Sequence, residues 1–157
     1  AVCLGLLGLV LYTGLAEDLL ANYSIVFITE KFEFNCRIFQ SATEDTWNMS
    51  RKYCREKGGD LVMIKSKKKQ VSTVLNEMRL NGWIGLSDES EEGKWTWVDT
   101  TKVNTTFWGK GQPDNPVEVD EDCAVFHFKD NDPLSTWHDH ECSSKHLAIC
   151  EKSCVCV

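Results

Sequence analysis

The chain carries no excess of basic charge: 17 Lys and Arg stand against 24 Asp and Glu in 157 residues, a net charge of −7. A nucleic-acid binder needs a basic face to neutralise phosphates, and electrostatic docking on anionic lipid needs one too, so neither is expected as a partner. Also missing are a Gly-rich phosphate loop, a nucleophile elbow and the His pair of a metalloprotease, which argues for a binding protein rather than an enzyme. There is no internal repeat and no low-complexity tract. Long apolar runs are lacking as well. Residues 1–15, AVCLGLLGLVLYTGL, are uncharged, but fifteen helical residues rise about 22 Å, short of a hydrocarbon core of about 30 Å.

That first stretch has neither an initiator Met nor a basic flank. Two readings stand. Residues 1–16 are part of a transmembrane anchor, which is the preferred expectation, or the apolar part of a signal peptide ending at Gly14-Leu15-Ala16. Either one exports the rest of the chain. Eight Cys agree with that, since so many are unusual in a reduced compartment and suggest structural disulfides. With 42% hydrophobic residues and six Trp, the chain can bury a core, and its length suits one domain with a short extension.

Residues 17–35 form a short connector without periodicity, and compact character begins near Asn35. Asp45 to Lys57 reads as a first helix, capped by Asp45 or Thr46 and ended by Gly58-Gly59. LVMI at 61–64 reads as a buried strand. Ser66 caps a second predicted helix in which Val71, Val74, Leu75 and Met78 recur at helical spacing, closed by Asn81-Gly82. Short strands are expected in WIGL at 83–86, KWTWV at 94–98, CAVFHF at 123–128 and HLAIC at 146–150. Two helices followed by short, non-alternating strands predict an α+β domain. Sequons at Asn22, Asn48 and Asn104 are expected glycan sites in an exported chain, and hence exposed.

Several features share one order and spacing: Trp47 and Cys54, the Gly58-Gly59-Asp60-Leu61-Val62 turn, Trp83-Ile84-Gly85-Leu86, Trp95-Thr96-Trp97-Val98-Asp99, Gln112-Pro113-Asp114, Glu121-Asp122-Cys123, Trp137-His138-Asp139, Cys142 and Ala148-Ile149-Cys150-Glu151. Together they resemble the C-type lectin-like domain over residues 36–151, leaving 152–157 as a Cys-containing tail. The resemblance implies two helices packed on short antiparallel sheets with a long loop region. It also implies disulfides Cys54–Cys150 and Cys123–Cys142. Trp83, Trp95 and Trp97 are expected to be core that holds the loops, rather than ligand contacts.

Eight of the 24 acidic residues fall in two runs, Asp88 to Glu92 and Glu118 to Asp122. Crowded carboxylates repel unless a hard cation neutralises them, and Ca²⁺ takes six to eight oxygen ligands from such groups. The resemblance places a sugar-binding calcium on Gln112, Asp114, Glu121 and Asp139, with His138 beside them in the carbohydrate site. An auxiliary calcium site maps onto Asp88, Glu92, Asn115, Glu121 and Asp122. The order Gln-Pro-Asp resembles the galactose-preferring subset, because exchanging amide and carboxylate changes which sugar hydroxyl geometry fits. Two departures stand out. His138 occupies the place of an Asn oxygen ligand, and imidazole suits a hard ion poorly. Asn115-Pro116-Val117 supplies no aromatic to stack on a sugar.

The four His, 127, 138, 140 and 146, and the run His138-Asp139-His140-Glu141-Cys142 invite a zinc reading, which fails at this level because His138-x-His140 alone lacks the remaining ligands at a recognisable spacing and Cys142 is claimed by a disulfide. Cys3, Cys36, Cys154 and Cys156 have no assigned partners, and Cys36 could join Cys154, Cys156 or a second chain as a disulfide-linked homodimer. The expectation is therefore a calcium-dependent receptor for glycans or glycoproteins, with its lectin domain outside the plasma membrane, or secreted if residues 1–16 are a signal peptide. The alternative is a calcium-independent receptor of natural-killer-receptor type that recognises a protein surface.

Overall fold

The computed structural model describes residues 38–71, 80–114, 119–128 and 132–152. These belong to one compact unit, Ile38–Lys152. Residues 1–16, Asn22, Cys3, Cys36, Cys154 and Cys156 lie outside the described residues, as do Val74, Leu75, Met78, Asn115 and Glu118.

Helix α1, Trp47–Glu56, starts where the Thr46 side chain accepts from the Met49 N–H, satisfying one of the donors left open at a helix start. Trp47, Ser50 and Cys54 repeat on one face and are buried. The helix stops in glycine: Gly58 sits at φ +82, and the Gly58 and Gly59 N–H groups donate to the Arg55 and Cys54 carbonyls. Gly59 is needed for a second reason, since a Cβ there would lie 2.2 Å from the Glu151 carbonyl oxygen.

A three-stranded antiparallel sheet has the order β1 (Ile38–Gln40), β7 (Ile149–Glu151), β2 (Asp60–Leu61). It joins the two ends of the domain and is stapled to α1 by Cys54–Cys150. The second sheet runs β4 (Thr96–Trp97), β3 (Gly82–Ser87), β5 (Cys123–Phe126), β6 (Trp137–His140). Cys123–Cys142 ties β5 to the segment just after β6. These bridges close 96 and 19 residues, worth roughly 4.5 and 3 kcal/mol on the loop-entropy account.

The core has two parts. One gathers Val62, Ile64, Ile84, Leu86, Trp97, Phe107, Phe126 and Trp137, with Trp95 packed at its margin. The other gathers Trp47, Cys54, Leu61, Trp83, Val125 and Cys150 around the helix. Buried indole N–H groups are satisfied: Trp47 donates to the Ile84 carbonyl and Trp137 to Gln70 Oε1. The α+β fold with both disulfides is the one expected from the sequence.

Local differences have physical causes. Strands β1 and β6 lie outside the strands expected from the sequence. Three residues carry too little pattern in β1, and Trp-His-Asp-His in β6 mixes burial with charge. The described part of the second helix, α2, is Lys67–Gln70, capped by Ser66. Val71 is 40% exposed rather than on a buried stripe, because Gln70 occupies the buried position, donating to the Pro133 carbonyl and Thr136 Oγ1. In KWTWV only Thr96–Trp97 pairs as strand.

Candidate functional site

Strand β6 and the loop after Trp108 build the site. β5 and β6 pair in the register Ala124↔Asp139 and Phe126↔Trp137, so alternate residues of β6 face opposite ways. Trp137 and Asp139 face one side and are buried, while His138 and His140 face the other and are half-buried. The loop is drawn onto β6 by the Gly109 N–H, which donates to the Trp137 carbonyl, and it turns back where the Gln112 N–H donates to the Gly109 carbonyl. The Gln112–Pro113 peptide is cis.

This brings the loop side chains to Asp139. The Asp139 N–H donates to Gln112 Oε1 at 3.1 Å. In return the Asp114 N–H donates to both Asp139 carboxylate oxygens, at 3.3 and 3.0 Å. Carboxylate oxygens of Asp114, Glu121 and Asp139 lie within 4.8 Å of one another. Burial holds the Glu121 carboxyl above its usual range, and the Asp139, Asp114 and Glu141 charges push it the same way. Three carboxylates converging at this spacing are the donor set a hard cation takes.

A second trio, Asp88, Glu92 and Asp122, converges within the same limit. Asp88 is 1% exposed, and its Oδ2 accepts from the Gly93 N–H. Its Oδ1 and the Oδ1 of Asp122 are buried with no hydrogen-bond partner among the described residues. Desolvation pushes the Asp88 carboxyl up to about 6, helped by the Glu92 and Asp122 charges and opposed by the Gly93 bond. Buried, unsatisfied carboxylate oxygens fit an ion that needs oxygen ligands. Of the residues assigned to this auxiliary set, Glu121 groups instead with Asp114 and Asp139, and Asn115 lies outside the described residues.

His138 departs from a ligand position. Its Nε2 lies against the Gly109 backbone, 2.7 Å from where a Cβ on that glycine would stand. Its ring meets His127 edge-on at a centroid distance of 4.6 Å. His127 carried no motif in the sequence, and only the β5–β6 register brings it beside residues 11 to 13 positions away. Asn48 and Asn104 are both exposed.

The Lectin C-type domain family model matches residues 43–152. C-type lectin domain family 4 member M of Hylobates lar is 38% identical over 130 residues, covering 80% of this chain and 30% of that protein. The chain thus spans about a third of the length of such curated relatives. Among solved structures, the human scavenger receptor C-type lectin carbohydrate-recognition domain is similar, with TM-score 0.65 and 28% identity, covering 74% of this chain and 90% of that one. A calcium-independent type II antifreeze protein gives TM-score 0.61 and 28% identity, covering 75% and 86%. With 110 residues matched in one register, both disulfides formed and the two-sheet fold in place, the chain belongs to the C-type lectin domain family.

Proposed function

We propose that this domain is the calcium-dependent carbohydrate-recognition unit of a cell-surface receptor, presented outside the plasma membrane. The observation that carries the reading is the convergence of Asp114, Glu121 and Asp139, with Gln112 held on the Asp139 backbone. Gln112, Asp114, Glu121 and Asp139 would hold the ion, and Asp88, Glu92 and Asp122 a second one. Calcium bound there would supply open coordination positions for two vicinal hydroxyls. The same carboxylates accept hydrogen bonds from those hydroxyls, and the Gln112 amide donates to the sugar oxygens. Gln112-Pro113-Asp114 supports a galactose-type preference, while the His138 ring lies on the other side of β6 from Asp139. The name of the human scavenger receptor neighbour, a carbohydrate-recognition domain, supports the class. Residues 1–16 are the proposed membrane anchor, and Cys36 the proposed link to a second copy, if it is not joined to Cys154 or Cys156.

Among the described residues, no helix is long and apolar enough to cross a membrane. A second reading, calcium-independent recognition of a protein surface, is favoured by one observation: His138 packs on Gly109 and His127, in the place where an oxygen ligand is expected. The calcium-independent antifreeze neighbour keeps that reading open. A glycan array in calcium and again in EDTA separates them. Galactose-terminated glycans bound in calcium and lost in EDTA are expected. Binding that survives EDTA, or no binding at all, overturns the calcium-dependent reading.

A further inference from the structure

All four histidines of the chain meet in one file. His138 touches His127, His127 touches His140 at a centroid distance of 5.5 Å, and His140 touches His146 at 4.8 Å. The file ends on Trp83, whose ring lies 4.6 Å from His146 and 6.5 Å from His140. It occupies the side of β6 opposite Asp139, so neither carboxylate trio explains it. Within the file one contact differs from ring packing: His127 Nε2 and His140 Nε2 face each other at 3.4 Å.

We infer that His127 and His140 form a two-imidazole site for a borderline divalent cation of the zinc type, separate from the carboxylate trios. The distance supports it directly. Zinc binds imidazole nitrogen at about 2.0–2.1 Å, and a tetrahedral angle then separates two such nitrogens by about 3.3–3.4 Å. Both rings are half-buried and held by their ring neighbours. His138 is turned toward Gly109, which leaves His127 and His140 as the facing pair, and water completes the coordination shell. Imidazole selects this ion class over calcium, as carboxylate and carbonyl oxygen select the reverse. In the metal-free state one ring donates its Nε2 proton to the other. On binding, that proton moves through solvent to the donor ring's own Nδ1, so both Nε2 lone pairs face the ion and no net proton is released.

The sequence concealed this pair. His138-x-His140 suggests partners two residues apart, whereas the facing pair is thirteen residues apart, His140 in β6 and His127 just past the end of β5.

Zinc titration of the full chain by calorimetry, with 1 mM calcium present, tests the site. One zinc per chain is expected. His127→Gln and His140→Gln should each weaken it at least about tenfold, and Asp114→Asn should leave it unchanged. Long-range ¹H–¹⁵N spectra of the unmutated chain give a mutation-free readout, in which two histidine Nε2 resonances shift on adding zinc while their Nδ1 resonances report protonation. Zinc binding that is lost in Asp114→Asn, that persists in His127→Gln, or that is absent up to 1 mM overturns the inference.

Discussion

The Asp139 N–H donates to Gln112 Oε1, so a side chain from the 108–114 loop closes a hydrogen bond with the backbone of strand β6. The Asp114 N–H returns the connection by donating to the Asp139 carboxylate. Loop and strand are therefore locked before any ligand arrives. Gln112→Ala should unlock them even in EDTA, because it leaves a backbone donor of a nearly buried residue unsatisfied, at about 1–3 kcal/mol. Thermal melts in EDTA check this, and a variant melting with the parent protein would show that the bond contributes nothing. Calcium should widen the gap between the two.

Asp88 gives a pH signature. Its folded pKa, about 6, lies above the ordinary value of 3.8. Between those values the folded state holds a proton that the unfolded state has released. The calcium-free domain therefore loses stability from this group as pH rises from about 4 to about 6, and the loss is complete above that. Asp88→Asn has no charge to develop. In EDTA its melting temperature should match the parent near pH 4 and exceed it by roughly 3 °C or more at pH 7. In calcium the order should reverse, since the variant has lost one of the carboxylates proposed to hold the second ion. A difference that does not change with pH would refute the assignment.

Two glycines separate steric from conformational cost. A Cβ on Gly59 would meet the Glu151 carbonyl oxygen at 2.2 Å, so Gly59→Ala must push β7 away from the end of α1. Gly93 sits at φ +75 with nothing within 4 Å of the added atom, so Gly93→Ala pays only for the left-handed backbone, about 1–2 kcal/mol. Urea unfolding should rank Gly59→Ala as the more destabilised, beyond about 3 kcal/mol. Equal losses would mean that β7 yields easily.

The frame of this domain was legible because its signals are local or covalent. Thr46 and Gly58 bracket α1, and the spacing of Cys54, Cys123, Cys142 and Cys150 matches a shared pattern that the two disulfides then realise. Both acidic runs announced crowding that is visible as carboxylate trios. What stayed hidden depends on register. Trp-His-Asp-His has no strand texture, yet opposite Cys123–Phe126 it becomes β6 and sorts Asp139 from His138 and His140. His127 is silent in sequence for the same reason, its neighbours coming from another strand. Val71 is exposed because the buried position beside it belongs to Gln70, whose amide satisfies Thr136, Pro133 and Trp137 at once.

The two carboxylate trios should be separable by mutation. Asp114, Glu121 and Asp139 share one cluster, and Asp88, Glu92 and Asp122 the other. No residue belongs to both, although Glu121 and Asp122 are neighbours in sequence and the Asp88 N–H donates to the Asp122 carbonyl. Glu121→Gln keeps the volume of the side chain and removes one anionic ligand from the first trio. It should weaken calcium-dependent galactose binding at least about tenfold, and in EDTA the domain should be no less stable, since a carboxylate crowded by Asp139 and Asp114 is gone. Asp122→Asn should instead lower the calcium-dependent gain in melting temperature while sugar affinity at saturating calcium falls by less than about threefold. Sugar affinity from calorimetry at 10 mM calcium, read beside melts with and without the ion, distinguishes the pair. Equal loss of sugar binding in both variants would mean that the trios act as one site, with the Glu121–Asp122 backbone transmitting the effect.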